Sequence, residues 1–315
     1  MNRMSVVLGA GPVGRALTER LRSRDETVRV VTRSERADVG EGVEVVAADV
    51  SRTDDAVAAS SGADVVYACV GLDYTNWPER WPPMMEAMLA GAEAAGARFV
   101  FMDNLYMYGP VDEPMREDMP LTGYGKKPAT RARMTRMWQE AHDAGRVRAA
   151  SVRASDFYGP GVTNSALGET VFGRLVRGKA AQVVGDPDQP HSFAYLDDVV
   201  RALVTIGGAD DDAFGQAWNV PHAPDTTMRD VVTMFAAAVG REPRLQVAPG
   251  IVLWGMGLFD PNLRELREML YQWQRPFRVD ASKFEQRFWR DPTPFEDGIA
   301  AAADWYVRRA ATNGS

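Results

Sequence analysis

The chain has 315 residues, 45% of them hydrophobic, enough for one large core or for a main domain with a smaller appendage. A formal charge of -7 and a pI near 5.2 provide no basic field for nucleic acid or anionic lipid, so a nucleic-acid or membrane partner is not expected. The single cysteine, Cys69, excludes an internal disulfide and a thiolate metal cluster, and His142, His191 and His222 lack metal-ligand spacing, so no metal is expected.

The N-terminal stretch MNRMSVVLGAGPVG runs straight into a strand and a glycine turn, leaving no room for a signal peptide. No apolar run approaches the ~20 residues of a membrane span, and a reducing cytoplasm is the expected compartment. SVVLG reads as a buried strand, VGRALTERLRSR as a helix with apolar positions at helical spacing, and ETVRVVT as a second strand. VEVVAAD, DVVYACV and RFVFMDN follow as strands with helices between them, and Cys69 falls in the second of these apolar runs as an inert buried thiol. Short apolar strands alternating with helices predict an α/β fold, a doubly wound parallel sheet, because parallel neighbours need helical crossovers. After VRAASVRASDFYGPG the regularity weakens into Gly-, Pro- and Asp-rich loops mixed with helices. Residues 1–155, with 190–220 returning to them, are expected to form the nucleotide-binding domain, and 156–189 with 221–315 a smaller C-terminal substrate lid.

The turn after the first strand carries Gly9, Gly11 and Gly14 in the G-x-G-x-x-G spacing, with Pro12 and Val13 opening the helix. Gly9 permits the tight turn, Gly11 lets the backbone approach a pyrophosphate, and Gly14 lets the helix pack against the sheet with its N-terminus facing the anion. The second strand ends in Thr32, Arg33 and Ser34 rather than in the carboxylate that grips free ribose hydroxyls, so NADP(H) is expected ahead of NAD(H). Asp49, ending VEVVAAD, is placed either to accept from the adenine amino group or to cap the next helix.

With these motifs in place the chain resembles the extended branch of the short-chain dehydrogenase/reductases, the NAD-dependent epimerase/dehydratase group. The resemblance rests on the glycine turn, FMDNLYMYG, SVRASDFYGPG, HSFAYLDDVVRAL, WNV, VDASKFEQRFW and PTPFEDGIAAAADWY, in that order along nearly the whole length. It implies a Rossmann-like domain, a C-terminal substrate lid and a homodimer formed through two long helices, here Trp81 to Ala95 and Pro128 to Ala144. It also implies a Ser or Thr after the fifth strand, and a Tyr with a Lys four residues beyond it. On a helix those two share a face, so the ammonium depresses the phenol pKa while the phenol moves a proton. Here the serine position is Asn104, and the residue four beyond Tyr124 is Pro128. Proline suits a first helical turn, so the helix is expected to start there, with Tyr124, Lys126 and Lys127 in the loop before it. Tyr124 and Lys127 remain catalytic candidates if the loop folds back over the nicotinamide, against a surface loop with solvated lysines. Asn104 ends a strand at the carboxyl edge, where its amide can orient a substrate carbonyl or simply complete a turn.

Tyr74 and Trp77, following the fourth strand, are expected to wall the substrate side, with Trp81 either joining them or packing in the helix. His191 stands near where sugar-nucleotide members of the family carry an arginine for the diphosphate. A neutral imidazole is a poor diphosphate clamp, which argues against a nucleotide sugar and leaves His191 as a possible proton donor. The expected function is an NADP(H)-dependent reductase of a small, fairly apolar carbonyl or conjugated substrate. Two alternatives stand beside it: a non-redox isomerase, dehydratase or cyclase, and an NADP(H)-sensing binding protein without turnover.

Overall fold

The computed structural model describes residues 3–34, 36–248, 265 and 267–313, and the chain divides into two compact units. Unit 1 takes Met1–Gly109, Glu117–Ala154 and Val199–Asn219; unit 2 takes Pro110–Arg116, Ser155–Asp198 and Val220–Ser315. The chain thus returns to the first unit at 199 rather than 190, and residues 110–116 fall with the second. Residues 249–264 of the expected lid lie outside the described residues.

Unit 1 is built on strands β1 (Met4–Leu8), β2 (Thr27–Thr32), β3 (Glu44–Ala47), β4 (Val65–Ala68), β5 (Arg98–Asp103), β6 (Arg148–Arg153) and β10 (Ala217–Asn219). They form one seven-stranded sheet in the order β10-β6-β5-β4-β1-β2-β3, with every pair parallel. The order reverses at β1, which lies between β2 and β4, and ligands of such sheets bind beyond the carboxyl ends at this switch point.

The crossovers are α1 (Pro12–Arg22), α2 (Thr53–Ser60), α3 (Trp77–Ala95) and α4 (Lys127–Asp143). In α1, Val13, Leu17 and Leu21 recur every fourth residue and are buried, which binds one stripe of the helix to the sheet. β4 is buried along all four residues, as a central strand covered on both faces must be. Valines of β1 and β4 pack with Phe99 and Phe101 of β5, with Trp81, Met85 and Leu89 of α3, and with Met134 and Trp138 of α4 in one core.

Unit 2 has a core of its own, centred on Phe172, Phe193, Phe235, Phe295 and Tyr306. It is framed by the parallel pairs β7 (Asp156–Tyr158) with β9 (Phe193–Tyr195), and β8 (Ala181–Val184) with β11 (Leu245–Ala248). The helix Met228–Ala238 begins at Thr227, whose hydroxyl accepts from the Asp230 N–H and caps the first turn. Among the described residues, no helix is long and apolar enough to cross a membrane.

Candidate active site at the carboxyl edge of the sheet

The β1–α1 turn is set by backbone contacts. Gly9 has φ +102° and donates its N–H to the Val31 carbonyl at 2.8 Å, and a Cβ on it would stand 2.9 Å from the Cys69 carbonyl oxygen. A Cβ on Gly14 would lie 1.9 Å from the Gly9 carbonyl oxygen, so only glycine lets α1 approach the turn this closely. Gly11 differs from both: it is exposed, and a Cβ there would meet nothing within 4 Å. It caps α1 without a side-chain hydrogen bond, and Pro12 follows at the first helical position. The first-turn N–H groups therefore remain for an outside anion, which fits a dinucleotide pyrophosphate. Half-buried Cys69 closes the floor, and burial pushes its thiol up to about 12, away from reactivity.

At the neighbouring strand ends, the Thr32 hydroxyl donates to the Ser34 carbonyl, and Arg33 and Ser34 are exposed. Asp49 accepts through Oδ1 from the Ser51 hydroxyl at 2.7 Å and the Ser51 N–H at 3.1 Å. These bonds hold its carboxyl below the usual carboxylate range, and the charge of Arg33 adds to the effect. Asp49 does not cap α2, whose first turn is preceded by Arg52.

Asn104 follows the last residue of β5. Its side-chain carbonyl accepts from the Tyr106 N–H at 3.0 Å, so the turn uses the oxygen and leaves the NH2 end as a donor. Asp103 is buried, and its Oδ1 accepts from the Asn104 N–H and from Arg131, both at 2.9 Å. Arg131 is buried in an aromatic box, its guanidinium 4.2 Å from the Trp81 ring centroid, 4.8 Å from Trp77 and 5.7 Å from Phe101. Asp103 Oδ2 and Arg131 Nε have no hydrogen-bond partner among the described residues. Burial pushes the Asp103 carboxyl up against the opposing pull of Arg131 and Arg153.

Helix α4 starts at Lys127, one residue before the expected Pro128. The lysine is not a solvated loop residue: it is fully buried, with Nζ 5.6 Å from the Tyr74 ring centroid. Tyr124 lies outside the helix and is 44% exposed, its N–H bonded to the Thr122 hydroxyl at 3.0 Å. Tyr74 and Trp77 do come together, with ring centroids 5.4 Å apart, and Trp77 stacks on Tyr106 at 6.2 Å. The Tyr74 and Tyr106 hydroxyls are 3.1 Å apart. Trp81, 83° from the plane of Trp77, is fully buried and belongs to the helix packing.

Sequence reasoning took Lys126, Lys127 and Arg131 as the cations nearest Tyr124, and missed the depth of Lys127 and the burial of Arg131 against Asp103. The signal was present: Lys127, Arg131, Met134 and Trp138 fall at i, i+4, i+7 and i+11, so two cations occupy the first places of an apolar stripe.

His191 lies in unit 2 and is buried. Its ring stacks on Trp273 at 4.3 Å and 2°, with Phe193 at 4.5 Å and Phe277 at 5.0 Å, and its Nε2 is 3.0 Å from Asp156 Oδ2.

The sequence profile of the NAD dependent epimerase/dehydratase family matches residues 5–220. The UDP-glucose 4-epimerase of Mycolicibacterium smegmatis is 24% identical over 214 residues, covering 65% of this chain and 60% of that protein. The dTDP-glucose 4,6-dehydratase of Shigella flexneri is 24% identical over 195 residues, covering 60% of this chain and 48% of that protein. The chain thus spans three-fifths or less of the length of these two relatives. The UDP-glucuronic acid 4-epimerase of Bacillus cereus, solved in complex with NAD, shares the fold with a TM-score of 0.79 at 16% identity, covering 97% of this chain and 99% of that one.

These relatives overturn the expectation of a reductase whose substrate is not a nucleotide sugar, because each is named for a nucleotide sugar. The exclusion assumed that His191 faces the diphosphate, whereas its ring is taken up by Trp273, Phe193, Phe277 and Asp156. Sequence and architecture agree that the chain belongs to the NAD dependent epimerase/dehydratase family, a family of NAD(P)-dependent enzymes of the extended short-chain dehydrogenase/reductase type.

Proposed function

We propose that the chain holds a nicotinamide dinucleotide along the carboxyl edge of its seven-stranded sheet and epimerises a carbinol centre in the sugar of a nucleoside-diphosphate sugar. The observation that carries this reading is the bare N-terminus of α1, with open Gly11 at the switch point and Asn104 at the end of β5 on the same edge. Gly9, Gly11, Pro12, Val13 and Gly14 hold the pyrophosphate, while Thr32, Arg33, Ser34 and Asp49 surround the adenosine end. When bound, the dinucleotide supplies a reversible acceptor for the hydride of a sugar carbinol. The Asn104 NH2 donates to the sugar oxygen and orients it, and Tyr74 with Trp77 excludes water from one side.

Epimerisation is favoured over dehydration by what stands at the β5 end. Eliminating water needs one group to remove a carbon-bound proton and another to protonate the departing hydroxyl. Asp103 is already bound to Arg131, and the Asn104 amide exchanges no proton. Removing and returning a hydride asks for one proton-exchanging group only.

The choice of dinucleotide turns on Arg33. The Bacillus cereus relative was solved with NAD, which weighs toward NAD(H), whereas the end of β2 offers Arg33 and no carboxylate to repel a 2′-phosphate. Fluorescence titration with NADH and NADPH tests binding, and incubation with UDP-glucose, UDP-glucuronic acid and dTDP-glucose tests chemistry by NMR of the sugar. The expected outcome is an inverted sugar centre with no net consumption of dinucleotide. Binding of neither dinucleotide overturns the reading, as does dinucleotide binding with all three sugars unchanged.

A further inference from the structure

We infer that the proton-exchanging group of this site is the paired phenols of Tyr74 and Tyr106, with Lys127 as the charge that poises them, and that Tyr124 is not that group. The inference deepens the reading above and rests on it. Tyr74 follows β4 and Tyr106 follows β5, so two adjacent strands deliver the two hydroxyls to the carboxyl edge, 3.1 Å apart. Both residues are half-buried, open enough to meet a ligand yet sheltered from bulk water. Tyr106 lies two residues beyond Asn104, whose oxygen fixes the Tyr106 backbone N–H. Asn104 and Tyr106 thus stand on one short turn at the end of β5.

The charges around the pair favour a phenolate. From α4, Lys127 places its ammonium 5.6 Å from the Tyr74 ring centroid, and the guanidinium of Arg131 lies 4.8 Å from Trp77, which contacts both tyrosine rings. From β5, Asp103 is bound to Arg131 and offsets that cation. Asp73, beside Tyr74 in the chain, binds Arg80 and the Thr75 hydroxyl. The Lys127 ammonium beside the Tyr74 ring, and the Arg131 guanidinium one ring away, are cations next to the pair, and a neighbouring cation lowers a phenol pKa. A phenolate on either oxygen also accepts the hydrogen bond of the other phenol, so the two titrate as one unit.

The step assigned to the pair concerns the proton alone. The O–H bond of the sugar carbinol breaks and a phenol O–H forms on the pair, while the carbon-bound hydrogen would leave with both electrons of its C–H bond, as a hydride, for the oxidised dinucleotide when it is bound. The return step gives the proton back to the oxygen and the hydride to the opposite face of the carbonyl carbon, once the keto sugar has turned over in the site, which inverts the centre. Tyr106 and Tyr74 are thus catalytic residues, and Lys127 is a positioning residue acting through them.

The test uses the full chain with NAD bound and the variants Tyr74→Phe, Tyr106→Phe, Tyr124→Phe and Lys127→Met, each checked for a wild-type thermal melt. Phenolate absorbance is followed against pH without any sugar. The expected result is a tyrosine signal ionising at least about one unit below the ordinary value near 10, lost in Tyr74→Phe and Tyr106→Phe, raised in Lys127→Met and retained in Tyr124→Phe. If no tyrosine ionises below the ordinary range, or if Tyr124→Phe removes the signal, the inference falls. Turnover of the sugar converted by the wild type is then compared: Tyr106→Phe should lower kcat by at least about 100-fold at unchanged dinucleotide affinity, with Tyr124→Phe within a few-fold of wild type. The opposite ranking overturns the inference. A wild type that converts none of the sugars refutes the epimerase reading, while the absorbance titration still decides the pair.

Discussion

The two halves of the site are built from different materials. At the β1–α1 turn the critical contacts are backbone on backbone: a Cβ on Gly14 against the Gly9 carbonyl, and Gly9 against the Cys69 carbonyl. At the β5–α4 face they are side chain on side chain, with Asp103, Arg131, Lys127, Tyr74, Trp77 and Tyr106 arriving from three separate segments. At Gly9 and Gly14 the turn has no room for a side chain, because its shape is its function. The face keeps its shape through charge pairing and ring packing.

Four substitutions sharpen or break this contrast. The largest effect is expected for Arg131→Ala, which strands the buried Asp103 carboxylate and should cost about 3–5 kcal/mol in chemical denaturation. Adding Asp103→Leu should recover most of that loss; if the double variant is as unstable as the single one, the box depends on the arginine's packing rather than on its charge. Gly14→Ala comes next, at about 1–3 kcal/mol from overpacking together with loss of dinucleotide binding. Gly11→Ala has space for its Cβ and should weaken the dinucleotide with little change in melting temperature. Equal loss of stability at both glycines would show that Gly11 serves the fold rather than the ligand.

Arg33→Ala should weaken NADPH by about 10-fold or more, the worth of one charged hydrogen bond, and NADH far less, as read by fluorescence titration. The smallest effect concerns acid. The folded pKa of Asp49 is depressed, chiefly by Ser51, so its contribution to stability is present above the unfolded value near 4 and fades as pH falls through the folded value. Asp49→Asn should therefore show a shallower acid limb than wild type in melts taken across that range.

The contrast also explains what could be read in advance. The parallel sheet, its crossovers and the glycine turn were legible, because hydrophobic spacing and glycine positions encode backbone geometry directly. The cluster was not, because motif register drew attention to Tyr124 and to the missing lysine at Pro128. Lys127 looked like loop until the helix was seen to begin on it, and only the stripe running through Arg131, Met134 and Trp138 shows that it points inward. His191 failed as a guide for a related reason. Its place in a motif says nothing of which way its ring faces, and the ring is spent among Trp273, Phe193 and Phe277. Tyr106 was hidden because an aromatic beside a strand end reads equally well as core.

The strand order carries a consequence for the ribosome. The edge strand Ala217–Asn219 pairs with β6, yet the whole segment Ser155–Asp198, which belongs to the other unit, is translated between them. Six strands of the sheet emerge in sequence, and the seventh arrives only after this detour. The nascent first unit therefore waits with β6 as an open parallel edge, a site for mispairing until Asn219 clears the exit tunnel.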